Sequence, residues 1–356
     1  MKRLMSGNAA AGEAAVLAGC TCYFGYPITP QNELTEYMAK RIPEIGGVFI
    51  QSESEIAAIN MVLGASVAGA RAMTSSSGPG ISLKQEGISY LAADELPAVI
   101  LNMVRGGPGM GNISPAQSDY LQATRGGGHG DYRTIVLAPS SVQEIADLMP
   151  LAFDLAEKYR NPVVVLGDGM LGQMMEPVSF DHITKGDTYP KDYTLTGAKG
   201  RASRMVRSLL FDVKEEEEHN WKLSRKYRRI EQNEVRYETY LIEDAKMIVV
   251  AYGTSARIAK GAITRLRREN LKVGMIRPIT LWPFPAKIIQ DTAKQIHDFF
   301  VFEMSAGQLI EDVRLALEGK GHVHFYGRPG GIIPTPVELY RIISRHYYQA
   351  ERSRKS

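Results

Sequence analysis

Short apolar runs alternate with amphipathic stretches along most of the chain. Up to about residue 175, β-rich runs at Val48-Phe49-Ile50, Ala98 to Val104, Thr134 to Leu137 and Pro162 to Leu166 alternate with helical patterns over Glu55 to Ala70 and Val142 to Tyr159. The first helix opens behind Ser54, a good N-cap, and keeps Ala58, Val62 and Ala65 on one face. The second opens on Ser141-x-x-Glu144, a capping box, and Pro150 inside it predicts a kink or a split. Apolar strands alternating with helices predict a parallel sheet covered on both faces.

Residues 177–243 break the pattern. Glu215 to Glu218 are followed by Lys222, Arg225, Lys226, Arg228 and Arg229, with little β signal. Blocks of opposite sign side by side predict a salt-bridged, solvated helix or connector rather than a nucleic-acid surface. The alternation then returns. Met247 to Ala251, Val273 to Ile276 and Phe299 to Phe302 read as strands. Ala256 to Arg268, Gly307 to Leu317 and Val337 to Tyr347 read as helices. The expected organisation is a first α/β domain over 1–176, a charged connector over 177–243, a smaller α/β domain over 244–350, and a tail over 351–356.

Composition changes this picture little. The 356 residues carry a formal net charge of +3 with no single basic block, which points away from nucleic acid. No apolar run reaches the ~18 residues that a membrane span needs. Two early basic residues imitate a secretory leader, but Asn8 and Glu13 interrupt any apolar core, so a buried first helix is expected. Cys20 and Cys22 read as small thiols of a reducing cytoplasm, since C-x-C closes a disulfide only with strain. Two thiols fall short of the ~4 that an iron–sulfur cluster requires, so no metal site is expected on this chain.

Three loops carry candidate chemistry. In Tyr26-Pro27-Ile28-Thr29-Pro30 two prolines stiffen the backbone around the Thr29 hydroxyl, in a structural turn or a binding loop. Thr74-Ser75-Ser76-Ser77-Gly78-Pro79-Gly80 precedes a helix and offers hydroxyls and backbone N–H groups to an anion or a polar ring. It matches neither the phosphate-loop nor the dinucleotide pattern. Arg105 to Asp131 is long and glycine-rich, and its embedded Arg105, His129 and Asp131 favour function over disorder. Gly167-Asp168-Gly169 imitates the start of the motif that binds Mg²⁺ and diphosphate in thiamine enzymes. Residues Thr194 to Lys199 lack the asparagines that the motif needs, so it reads as a strand-ending turn.

Taken in order, these loops, Glu53-Ser54-Glu55 before an alanine-rich helix, Glu303-Met304-x-x-Gly307-Gln308 and Gly330-Gly331-x-x-Pro334-Thr335-Pro336 resemble the alpha subunit of 2-oxoacid:ferredoxin oxidoreductases. The wording is closest to the branched-chain type acting on 3-methyl-2-oxobutanoate, and the resemblance covers nearly the whole chain. It implies an α/β fold: a pyrimidine-type, thiamine-diphosphate-binding parallel-sheet domain, then a smaller transketolase-C-terminal-like domain. Glu55 falls where the family's glutamate contacts the pyrimidine, with Glu53 as the fallback. By pattern alone Glu55 reads as a first-turn acid facing the helix dipole, and it is the resemblance that favours the cofactor role. Thr29 and Arg105 match positions that hold the substrate carboxylate, although an arginine bracing a glycine loop competes with that role. Pro27, Ile28, Ser76 and Gly78 fall with Glu55 on the cofactor side. His129 and Asp131 either shape the pocket or fasten the loop.

The reaction implied is oxidative decarboxylation of a 2-oxoacid, with coenzyme A accepting the acyl group. Thiamine diphosphate would be shared with a beta subunit, and Mg²⁺ and iron–sulfur clusters would sit on partner subunits. Gamma- and delta-type subunits and ferredoxin complete the expected assembly. Two rivals remain at this point: the same reaction on 2-oxoglutarate, with Lys84 or Arg125 pairing the second carboxylate, and a non-catalytic α/β scaffold.

Overall fold

The computed structural model describes residues 2–187 and 189–353, so the end of the expected tail, 354–356, lies outside it. The chain starts with β1 (Arg3–Ser6), α1 (Gly7–Leu17), β2 (Cys22–Gly25), α2 (Asn32–Glu44), β3 (Val48–Gln51) and α3 (Glu55–Val67). Next come β4 (Ala72–Ser76), α4 (Pro79–Ala93), β5 (Ala98–Val104), α5 (Tyr120–Arg125) and β6 (Ile135–Leu137). This first part closes with α6 (Val142–Tyr159), β7 (Pro162–Asp168), α7 (Gly169–Gln173) and β8 (Met175–Val178). Strands β6, β7, β5, β4, β2 and β3 lie side by side in that order and run parallel. Every residue of β5 and β7 is buried, which is why both read as continuous apolar runs.

The first helix, α1, is a buried one, as its sequence predicts. It packs against α2 and α6, and its Glu13 is held by Arg3 and Arg41, each at 2.9 Å, and by Tyr37 at 2.8 Å. Helix α6 runs unbroken through Pro150, so of the two expected outcomes the split does not occur. Ile145, Met149, Ala152 and Phe153 are buried along this helix, and that packing outweighs the ~3 kcal/mol that an interior proline costs. Cys20 is buried and its thiol pushed up to about 12 by desolvation.

The charged segment forms α8 (Val213–Asn233), capped by Asp212, which accepts from the N–H groups of Lys214 and Glu215. Its spacing buries Leu223, Tyr227 and Ile230 along one stripe, while Lys222 and Lys226 pair with Glu95. The strap therefore holds by one apolar seam and a set of ion pairs. Beyond it follow β9 (Tyr237–Tyr240), β10 (Met247–Val250), α9 (Gly253–Arg268), β11 (Val273–Pro278), β12 (Thr280–Trp282) and α10 (Ala286–Ala293). The described chain closes with β13 (Asp298–Glu303), α11 (Leu309–Leu317), β14 (His322–Gly327) and α12 (Pro336–Ser353). These build a second sheet in the order β14-β13-β10-β11-β9, parallel except for the edge strand β9.

Several links bind the two sheets. β12 leaves the second sheet's neighbourhood and adds antiparallel to β6 at the edge of the first. Arg277 of β11 is buried and grips both carboxylate oxygens of Glu144, on α6, at 2.9 and 2.8 Å. Gln117 is the most heavily used polar link. Its Oε1 accepts from Ser255 Oγ at 2.6 Å and Met304 N at 2.9 Å, and its Nε2 donates to Tyr252 O at 2.9 Å. Gln117→Ala strips partners from three buried groups. It should lower unfolding stability by ~2–4 kcal/mol, read as a reduced denaturant midpoint with an unchanged slope.

Candidate functional site

The candidate loops meet beyond the carboxyl ends of β2, β4 and β5, where open parallel sheets place their ligands. Glu55 is the first residue of α3, set there because Ser54 Oγ caps the helix by accepting from Ala57 N at 3.2 Å. Its side chain is buried, whereas Glu53 is exposed. A Cβ on Gly80 would lie 2.5 Å from Glu55 Oε1 and 2.2 Å from Ser76 Oγ. Glycine at 80 is thus what lets the α4 backbone press against the Glu55 carboxylate and the Ser76 hydroxyl.

Two residues earlier, Gly78 adopts φ +48°, and a Cβ there would come 2.9 Å from Arg105 Nε. Arg105 is buried, and its two terminal nitrogens each donate at 3.0 Å, one to Thr29 O and the other to Met110 O. The single turn from Ser77 to Gly80 therefore has Glu55 on one side and Arg105 on the other. Three buried polar atoms around it, Ser76 Oγ, Ser77 Oγ and Arg105 Nε, have no hydrogen-bond partner among the described residues. Orphaned donors at one point favour a polar ligand.

A cavity of about 430 Å³ opens beside this turn. Gly78, Arg105, Ser118 and Asp119 line it from the first sheet, Ser305 and Gln308 from the second. Glu303 accepts at 3.0 Å from each of the Gln308 and Leu309 N–H groups and so caps α11. Gln308 in turn donates to Ser118 O at 2.7 Å, which fixes the wall. Asp119 accepts from Asn102 Nδ2 at 3.0 Å, and burial pushes its carboxyl above the usual range.

Of the residues singled out in the sequence, Glu55 joins Ser76, and Arg105 joins Gly78 with the Thr29 carbonyl. Pro27 is exposed and Ile28 half-buried on the neighbouring loop. His129 and Asp131 are exposed and line a separate groove beside α8. Asp168 caps α7 by accepting from Met170 N and Leu171 N at 2.9 and 3.2 Å, a strand-ending turn. Lys84 is wholly buried, its Nζ donating to Thr74 Oγ1 at 3.0 Å. Burial pushes its amine down to about 7, with the Glu55 carboxylate pulling the other way. Sequence reasoning missed this placement. The signal was present: Ile81, Lys84, Ile88 and Leu91 share one helix face, so the lysine sits in an apolar stripe.

Two largely parallel sheets joined beside a hydroxyl- and glycine-rich turn define an α/β protein with a candidate polar-ligand site beyond the carboxyl ends of its strands. The family model "Pyruvate flavodoxin/ferredoxin oxidoreductase, thiamine diP-bdg" matches residues 13–238, and "Pyruvate:ferredoxin oxidoreductase core domain II" matches 245–339. The chain belongs to the 2-oxoacid:ferredoxin oxidoreductase family. It is 52% identical to the ketoisovalerate oxidoreductase subunit VorB of Methanothermobacter thermautotrophicus, over 96% of each chain. The 2-oxoglutarate synthase subunit KorA of the same organism is 37% identical, over 95% of this chain and 97% of that one. Among solved structures, 2-oxoglutarate:ferredoxin oxidoreductase from Magnetococcus marinus, with 2-oxoglutarate, coenzyme A and succinyl-CoA bound, matches with a TM-score of 0.87 and 28% identity. The match covers 97% of this chain but 65% of that one. A split-gene transketolase matches at a TM-score of 0.59 and 14% identity, over 96% of this chain and 97% of that one, a likeness of fold alone. Among the described residues no helix is long and apolar enough to cross a membrane.

Gly80→Ala tests the close approach. The added methyl group meets Glu55 and Ser76, so the assembled complex should keep its secondary structure yet bind thiamine diphosphate at least ~10-fold more weakly, a cost of ~1–3 kcal/mol from overpacking. Calorimetric titration of the cofactor-free complex measures this.

Proposed function

We propose that this chain activates thiamine diphosphate and grips the substrate carboxylate in a complex that oxidises 3-methyl-2-oxobutanoate to its acyl-CoA. The observation that carries this reading is the Ser77–Gly80 turn, with a buried carboxylate on one side and a buried guanidinium on the other. The orphaned Ser76 and Ser77 hydroxyls suit the polar edge of an aminopyrimidine ring. When bound, thiamine diphosphate supplies the carbon nucleophile and electron sink for decarboxylation. Glu55 would hold a proton at the pyrimidine N1′, and Ser76 and Gly78 with the Pro27-Ile28 loop would seat the ring. Arg105, tied to the Thr29 carbonyl, would bind the substrate carboxylate from the wall of the cavity.

The branched-chain substrate is supported by the 52% identical relative named for ketoisovalerate. The cations that would serve the second carboxylate of 2-oxoglutarate are engaged elsewhere. Lys84 is buried against Thr74, and Arg125 pairs with Asp312. In the same reading a beta subunit holds the diphosphate and Mg²⁺, gamma- and delta-type subunits carry the clusters, and ferredoxin takes the electrons. Two free thiols suit work in a reducing cytoplasm.

Glu55→Gln should leave the complex assembled and slow deuterium exchange at C2 of the bound cofactor by at least ~100-fold, the scale of general acid–base catalysis. Exchange at the normal rate would remove Glu55 from this role. Arg105→Ala removes a charge-assisted contact of ~1.5–3 kcal/mol, so apparent affinity for 3-methyl-2-oxobutanoate should fall ~10- to 100-fold. C2 exchange without substrate should barely change, and Arg105→Lys should recover only part of the loss. If Arg105 serves only to tie Thr29 to Met110, the variant would lose thermal stability and keep its substrate affinity.

A further inference from the structure

Lys84 is a lysine with no water around it, one helical turn beyond the glycine that touches Glu55. From β4 it meets the Thr74 hydroxyl, and from α3 the charge that acts on it is Glu55. On its own helix, Glu86 turns outward to Tyr90. The interior between α3 and α4 thus holds one buried amine and one buried carboxylate. A buried pair of this kind persists because its charges cancel, and any third charge brought against it must be balanced.

A ring protonated at N1′ is such a third charge, and this inference rests on the Glu55 reading above. We propose that Lys84 is a positioning residue whose Nζ proton is surrendered when the cofactor ring takes one beside Glu55. Nζ would give up one proton as the ring nitrogen takes one up, so the count of protons is unchanged. Net charge in the buried space is zero before and after, so no uncompensated charge is created in a medium of low dielectric. A surface lysine could not take part, because it holds its proton far above neutrality. Lys84 is displaced from that value by burial to about 7, where gain and loss of a proton are both accessible.

The test counts protons. The assembled complex, stripped of cofactor, is titrated with thiamine diphosphate and Mg²⁺ by calorimetry in buffers of different ionisation enthalpy, slightly below pH 7. Wild-type and variant share every contribution from the diphosphate, so their difference isolates Lys84. Lys84→Met should draw more protons from solvent per cofactor bound than wild type, by up to about one, because its side chain has none to release. That difference should shrink toward zero as pH climbs through the region of 7, where Lys84 is already neutral before binding. Equal counts below pH 7, or a difference that stays constant across that range, would overturn the proposal. Glu55→Gln separates the two levels. If it blocks C2 exchange while the proton counts stay equal, only the role of Lys84 fails. If it leaves exchange intact, the Glu55 reading fails first.

Discussion

Gln117 ties the two sheets together, and the geometry of the site depends on that tie. One side chain is shared by Ser255 and Met304 at its oxygen and by the Tyr252 carbonyl at its nitrogen. Each bond is worth little in net terms, but all three partners are buried, so leaving them unmet is costly. Because Gln117 is held, Ser118 and Asp119 are held, and Gln308 can close on Ser118 from the second sheet. The cavity beside Arg105 has walls from both sheets only while this junction stands.

Within that frame, glycines control distance. Gly78 lets Arg105 lie against the turn, and Gly80 lets Glu55 and Ser76 meet over the start of α4. A side chain at either position would separate groups whose electrostatic coupling falls with distance and rises with exclusion of water. Burial then sets the chemistry. The amine of Lys84 is displaced toward neutrality and the carboxyl of Asp119 is raised, both by desolvation first. Groups perturbed in this way are common at binding and catalytic sites.

The elements most legible in the sequence were those with an unambiguous period. The fully buried β5 and β7 and the capped helices α3 and α6 stand where hydrophobic spacing and the Ser54 and Ser141 caps put them. Shorter elements were not legible. β1 and β8 pair with each other across most of the first domain, and three-residue β12 exists as a strand only because β6 offers it an edge. Pro150 was read by its local cost, and the packing of α6 overrode it.

The sequence alone determined the composition of the site: which loops carry hydroxyls, glycines and an arginine, and which of the chain's stretches are helix or strand by period. It also determined that one lysine falls on the apolar face of α4. Only the tertiary structure buries Glu55 and leaves Glu53 exposed, since two acids two residues apart differ in burial and not in pattern. It alone set His129 and Asp131 outside the cavity, tied Arg125 to Asp312, and buried Lys84 against Thr74. The reason is physical. Periodicity encodes which face of an element is buried, whereas charge, proton affinity and contact depend on what another element brings to that face.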